Sequence, residues 1–263
     1  MAIYITIFNL NYMEDNKSFF EKHWLLLIYL LFLGLDIYFL FTASYGSRIY
    51  SKPILMILLG MWFHRNTAMG TGVPPQSLVI LFCIYAVFIL SCLSDVCALW
   101  SDVIVWSVCR LLYIPIYILY LVLLIEVQRK AEAEKKIVFY IKRVFPTLGV
   151  LLLLATVVFY KAVGFGTAFY HWCLYLHALV ICLLSAITAN MWGYQVLTKC
   201  RVLFAMSISL IVLTNITFCF DELYYNRHYH LLDVLVALGN SAATILMLFG
   251  VLKVLKDWRS VEY

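Results

Sequence analysis

The fold is decided by residues 77–98, which read SLVILFCIYAVFILSCLSDVCA. A helix needs about 20 predominantly apolar residues to cross a hydrocarbon core about 30 Å thick. This run is long enough, and its one charged residue, Asp95, stands near its end. The run therefore predicts a transmembrane helix that carries a single acidic side chain.

Six further runs share this length and apolar character. They are residues 23–43, 103–126, 144–163, 169–192, 202–222 and 231–255. A shorter run, 52–64, has 13 residues and gives only about 20 Å of helix, which favours a tilted or re-entrant segment. The sequence thus predicts an all-α fold, a polytopic transmembrane helix bundle that forms a single domain over residues 1–263. Eight spans are expected, with seven as the alternative.

The composition excludes a soluble protein. Apolar residues make up 65% of the chain and charged residues only 13%, whereas a soluble domain carries about 25% charged residues. The net charge of +5 does not indicate a nucleic-acid partner, because the charges stand beside the apolar runs and report topology instead. The expected surroundings are the membrane, and self-association into a homo-oligomer stays open.

The basic residues predict the orientation. In the eight-span reading, 14 of the 19 Lys and Arg residues fall on the side of the N-terminus and 4 on the other side. Basic loops face the cytoplasm, so both termini are predicted to be cytoplasmic. Seven spans keep the C-terminus there and move the N-terminus outside. Residues 128–143 hold six of the basic residues and are interpreted as a cytoplasmic loop lying on anionic lipid.

Cysteine and histidine spacing gives no indication of a metal or a cofactor. The eight cysteines lie mostly inside apolar runs without a C-x-x-C pair, so they are interpreted as small packing residues. His171 and His177 are six residues apart, which places them on different faces of a helix. No metal site is therefore predicted.

Charged residues inside the apolar runs are the candidates for function, because each costs at least about 2.5 kcal/mol to insert. Asp95 and Arg110 flank a turn near Ser101, at depths within roughly 5 Å of each other, which favours a salt bridge between them. That bridge is either a structural lock or part of a site. Asp36 lies midway along its run, where a hydrogen bond from a neighbouring helix would satisfy it.

Several polar residues fall toward the non-cytoplasmic ends of the predicted spans. They include Lys52, Asp95, Asp221 and His171. Two readings remain open for them. The side chains line one outward-facing cavity, or they form an ordinary belt at headgroup level.

Two stretches of this chain resemble motifs of a known membrane family. Residues 50–56, YSKPILM, are similar to a Lys-Pro-Leu-rich start of the second span. Ser91-x-x-Ser94-Asp95 resembles a Ser-x-x-Gly-Asp motif. These motifs are those of the YhhN/lysoplasmalogenase family, whose members have eight spans.

Later stretches follow the same family order with substitutions. Arg110-x-x-Tyr113 stands where the family has His-x-x-Tyr, and Asp221 with Asn226 stands where it has Ser-Asp and a later Asn. Thr244 replaces a glutamine of the family. The replacement of His by Arg110 matters most, because arginine does not exchange a proton near neutral pH.

The resemblance implies a hydrolase that cleaves the vinyl ether bond of lysoplasmalogens and releases a fatty aldehyde. It implies Asp95 and Asp221 as catalytic carboxylates, a base and an acid respectively, and a lipid as substrate. The substrate-binding residues it implies are Lys52, Ser91, Arg110, Tyr113 and Asn226. A non-enzymatic receptor or assembly partner is the alternative, and a transporter is disfavoured because the polar residues cluster toward one side.

Overall fold

The structure is a computed structural model that describes residues 19–42, 45–68, 78–97, 103–131, 146–153, 157, 169–191, 198–224 and 230–259. Helices account for almost all of these residues. They are α1 (Phe19–Phe41), α2 (Tyr45–Ala68), α3 (Leu78–Cys97), α4 (Val103–Ala131), α5 (146–153), α6 (Phe169–Asn190), α7 (Thr198–Tyr224) and α8 (His230–Arg259). The predicted all-α helical bundle is confirmed.

Among the described residues, five helices are long and apolar enough to cross a membrane. The crossing stretches are His23–Phe41, Leu78–Cys97, Leu111–Arg129, Cys200–Phe218 and Leu231–Asp257. Large apolar side chains on their outer faces remain exposed, among them Phe82 at 69% and Ile89 at 68%. An apolar surface of this kind requires lipid around it. The chain is an integral, multi-pass membrane protein.

Helix α2 is longer than the sequence predicted. The apolar run 52–64 is only the inner part of a helix of 24 residues, which is about 36 Å long. Pro53 lies inside the helix, and Arg48 and Lys52 belong to its first two turns. These cations keep α2 out of the set of strongly apolar spans, although its length suffices to cross a bilayer.

The helices pack in a closed circuit. Each of α1, α2, α3 and α4 packs against the next, α4 packs against α6, and α6, α7 and α8 follow in order. Helix α8 then returns to α1 and α2. The described part of α5 touches α6, where Cys182 Sγ donates to the Leu151 carbonyl at 3.7 Å.

Aromatic packing closes the circuit between its last and first helices. The Trp62 ring of α2 lies edge-on to Phe249 of α8, with ring centroids 5.1 Å apart. Trp62 Nε1 also donates to His23 Nδ1 on α1 at 3.2 Å. Trp62 is completely buried, so the three helices share one interior.

Helices α7 and α8 approach closely at two glycines. A Cβ atom at Gly250 would stand 2.7 Å from the ring of Phe204, and one at Gly239 would collide with the Thr214 side chain. Small residues let membrane helices bring their backbones together. The contact is reinforced by Ser207, whose hydroxyl donates to the Ala243 carbonyl at 2.7 Å.

Candidate functional site

The short connection between α1 and α2 makes these helices antiparallel, so the end of α1 lies beside the start of α2. Helix α3 runs antiparallel to α2 in turn, because its last turn meets the first turns of α2 at Asp95 and Lys52. Four charged side chains therefore gather at one end of the bundle. They are Asp36, Arg48, Lys52 and Asp95.

One ion pair of this group, Asp36 with Arg48, is fully hydrogen-bonded, and we call it the closed pair. Arg48 Nε donates to Asp36 Oδ1 at 3.2 Å and Nη2 donates to Oδ2 at 3.1 Å. The Ser51 hydroxyl donates to the same Oδ1 at 2.6 Å, and all three residues are buried. Two-pronged Arg–carboxylate contacts have a fixed geometry, so the closed pair holds α1 and α2 in one register.

The other ion pair, Lys52 with Asp95, is loose, and we call it the open pair. Lys52 Nζ lies 3.6 Å from Asp95 Oδ1, which is beyond hydrogen-bonding distance. Their side chains keep 21% and 14% of their surface exposed. The two groups attract each other electrostatically, but neither reaches hydrogen-bonding distance of the other.

The environment of Asp95 acts on its charge in two directions. Burial in the helix bundle favours the neutral acid, whereas the Lys52 ammonium favours the carboxylate. Asp36 and Arg48 lie near enough to add smaller, opposed contributions. Asp95 therefore has three charged neighbours, Lys52, Asp36 and Arg48.

A buried tyrosine lies next to both pairs. Tyr29 of α1 stands seven residues before Asp36, which places the two on one helix face. Its side chain is fully buried, and none of the described residues forms a hydrogen bond with its hydroxyl. Asp36 and Asp95 both lie within electrostatic range of this hydroxyl, and Ser241 of α8 lies beside it without completing a hydrogen bond.

A second polar cluster joins α4, α6 and α7. Asn215 Nδ2 donates to the Ile211 carbonyl at 2.7 Å and to the Tyr117 hydroxyl at 3.0 Å, so its Oδ1 must face His177 Nε2 at 2.8 Å. An amide oxygen only accepts, which means that Nε2 of His177 carries a hydrogen. The His177 ring also packs edge-on against Tyr117, with centroids 5.1 Å apart. The network fixes both the position and the protonated nitrogen of this histidine.

The structure places some of the predicted site residues close together and shows where others lie. Lys52 and Asp95 are brought together, and Lys52 is the partner of Asp95 among the described side chains. Ser91 lies on α3, one turn before Asp95, and is half-buried. Tyr113 of α4 lies 6.3 Å from the His177 ring, measured between centroids.

Three other predicted positions remain untested. The side chains of Arg110 and Asp221 and the whole of Asn226 lie outside the described residues, although the backbones of Arg110 and Asp221 belong to α4 and α7. The predicted bridge from Asp95 to Arg110, and the meeting of Asp95 with Asp221, therefore stay predictions. The polar segment 128–143 also lies mostly outside, but its first residue, Gln128, is buried in α4 and donates to the Ile187 carbonyl at 2.9 Å.

Three functional candidates were missed in the sequence: Tyr29, Arg48 and Ser51. Arg48 was counted among the loop charges, because it precedes the apolar run 52–64. Arg48 lies only 12 residues after Asp36, and a tight turn between two helices would place them side by side. That spacing could have predicted the pair. The hydrogen bond expected for Asp36 from a neighbouring helix is confirmed.

No protein family, curated protein or solved structure matches the chain. The site must therefore be interpreted from its own chemistry. Among the described residues, no three His, Cys, Asp or Glu side chains lie close enough together to hold a metal ion. The chemistry on offer is that of a carboxyl group, an ammonium group and a buried hydroxyl.

Proposed function

We propose that the protein is a membrane-embedded hydrolase resembling lysoplasmalogenase, which cleaves the vinyl ether bond of a lysoplasmalogen-type lipid at Asp95. The observation that carries this proposal is the open pair. Lys52 and Asp95 belong to two separate stretches that resemble motifs of the family, residues 50–56 and 91–95, and their side chains lie 3.6 Å apart on neighbouring helices. A purely structural ion pair would be expected to close, as Asp36 and Arg48 do.

The reaction requires an acid and a base. A proton is added to the outer carbon of the C=C–O group, and water then attacks the resulting oxocarbenium ion. Loss of a proton gives a hemiacetal, which splits into an aldehyde and the free glycerol hydroxyl. Asp95 has the position to take the proton from water or to stabilise the cation, and Asp221 is proposed as the acid.

Lys52 is also proposed to bind the phosphate of the lipid. A lysolipid carries a phosphate, and an ammonium group binds phosphate as a point charge. Lys52 lies near the end of the bundle, where a headgroup would sit while the vinyl ether reached into the apolar part of the site. Ser91, Arg110, Tyr113 and Asn226 are proposed as further contacts to the lipid.

The test is an assay of the purified protein in lipid nanodiscs. A 1-alkenyl lysolipid is supplied, and release of the fatty aldehyde is followed by mass spectrometry, with the saturated 1-alkyl lysolipid as the substrate control. We expect aldehyde from the alkenyl lipid alone. Asp95→Asn should lower the rate by about 100-fold or more, because removal of an acid–base group has that order of effect.

Asp257→Asn is the matched control variant. It also removes a carboxylate from an ion pair with a lysine, Lys253 at 3.2 Å, but it lies in the last turn of α8, far along the helix from Ser241. Its rate should equal that of the wild type. No aldehyde from the wild-type protein, or full turnover by Asp95→Asn, would refute the proposal and leave the receptor or assembly partner as the better reading.

A further inference from the structure

The Tyr29 hydroxyl is the one described side-chain hydroxyl that is buried and has no hydrogen-bond partner. A buried hydroxyl without a partner costs free energy, so such groups in proteins are generally satisfied by an ordered water or a ligand. Other buried hydroxyls of this bundle follow the rule. The Ser207, Thr188 and Thr67 hydroxyls all donate to backbone carbonyls.

The surroundings of this hydroxyl are polar, which distinguishes it from a hydroxyl trapped in an apolar core. Ser241 lies beside it, and the carboxylates of Asp36 and Asp95 lie within electrostatic range. A buried water needs two to four polar partners. Tyr29 and Ser241 supply two of them, and the Asp95 carboxylate lies within electrostatic range as a further acceptor.

We infer that Tyr29 and Ser241 bind a water molecule on the inner side of the open pair, and that this is the water consumed in the hydrolysis. The role of this water in hydrolysis rests on the proposed function, whereas the existence of the water site does not. Tyr29 is then a positioning residue, which acts through the water and does not touch the lipid.

The chemical step balances without an oxidant or a reductant. The water oxygen forms a bond to the inner carbon of the oxocarbenium ion, and one of its protons passes to the Asp95 carboxylate. The proton added earlier to the outer carbon comes from the proposed acid. When the hemiacetal carbon–oxygen bond breaks, the leaving oxygen takes up the proton held by Asp95, and the hemiacetal hydroxyl gives its own proton to the carboxylate that first acted as the acid. One water is consumed, and each carboxyl group returns to its starting state.

Tyr29→Phe tests the water site without any assay of activity. If the hydroxyl is bound to water, its removal breaks hydrogen bonds, and the variant should unfold at a lower denaturant concentration than the wild type. If the hydroxyl is simply unsatisfied, its removal should stabilise the protein. An unchanged or higher unfolding midpoint therefore overturns the inference.

Tyr117→Phe is the control for the sign of this measurement. Its hydroxyl accepts a hydrogen bond from Asn215 at 3.0 Å, so its loss should lower the midpoint and show that the assay detects a lost hydrogen bond. A cryo-electron microscopy map at high resolution provides a direct check, with density expected within hydrogen-bonding distance of both the Tyr29 and Ser241 hydroxyls.

Kinetics test the role of the water. With an alkenyl lysolipid, Tyr29→Phe should lower kcat by about 10-fold or more and leave KM unchanged, because the lipid itself does not touch Tyr29. An unchanged kcat overturns the role in hydrolysis. If the wild type releases no aldehyde, the proposed function fails, and the unfolding comparison still decides whether the water site exists.

Discussion

Substitution of Asp36 by asparagine should destabilise the protein severely. Asp36 accepts hydrogen bonds of 3.2, 3.1 and 2.6 Å and neutralises the buried Arg48 cation. Removing one partner of a buried ion pair costs about 3–5 kcal/mol, because the other charge is left without compensation. We expect a loss of that size for Asp36→Asn, measured by reversible unfolding in mixed micelles.

The double variant Asp36→Leu with Arg48→Met separates the cost of an orphaned charge from loss of the contact itself. Replacing a whole buried pair by apolar residues of similar volume is often neutral or stabilising. The double variant should therefore be more stable than Asp36→Asn by at least about 2 kcal/mol.

The exposed pair of Lys253 and Asp257 provides the reference. Its members are 36% and 48% exposed, and breaking it by Asp257→Asn should cost less than about 1 kcal/mol. The reasoning is refuted if Asp36→Asn costs no more than Asp257→Asn, or if the double variant is as unstable as the single one.

Two further predictions concern the packing of the bundle and are measured by the same unfolding assay. Gly250→Ala should destabilise by about 1–3 kcal/mol because its Cβ would stand 2.7 Å from the Phe204 ring, whereas Gly34→Ala, with open space around it, should be neutral or stabilising; equal effects of the two would contradict the close approach. Asn215→Leu should cost about 1–3 kcal/mol by leaving the His177 N–H without its acceptor, and adding His177→Phe should recover part of this loss. A double variant less stable than Asn215→Leu alone would argue against that hydrogen bond.

The helices were largely predictable because lipid imposes a single requirement on them. A run of about 20 apolar residues must be helical to satisfy its backbone, and each long run was found as a helix wherever the structure describes it. The length of helix α2 was underestimated because only apolar residues were counted. Arg48 and Lys52 lower its hydropathy, although both are paired inside the bundle, and a count of apolar residues does not register pairing.

The partner of Asp95 was harder to predict, because depth in the membrane leaves the choice of neighbour open. Counting residues from a turn places Asp95 and Arg110 at similar depth, and it places Lys52 there as well. Which helix faces Asp95 depends on how the bundle closes, and that is a property of many apolar contacts together. Tyr29 carried no signal, since a tyrosine among leucines is indistinguishable from packing in a single sequence.

The closed circuit of helices has a consequence for biosynthesis. Tyr29 belongs to the first described helix and Ser241 to the last, so the region between them is completed only when α8 has entered the membrane. During translation, the charged side chains of α1, α2 and α3 therefore remain at the insertion machinery or in lipid, without the packing of α8, until that helix is inserted. We expect chains that stop before residue 230 to be recognised and degraded by membrane quality control instead of accumulating as partly active fragments.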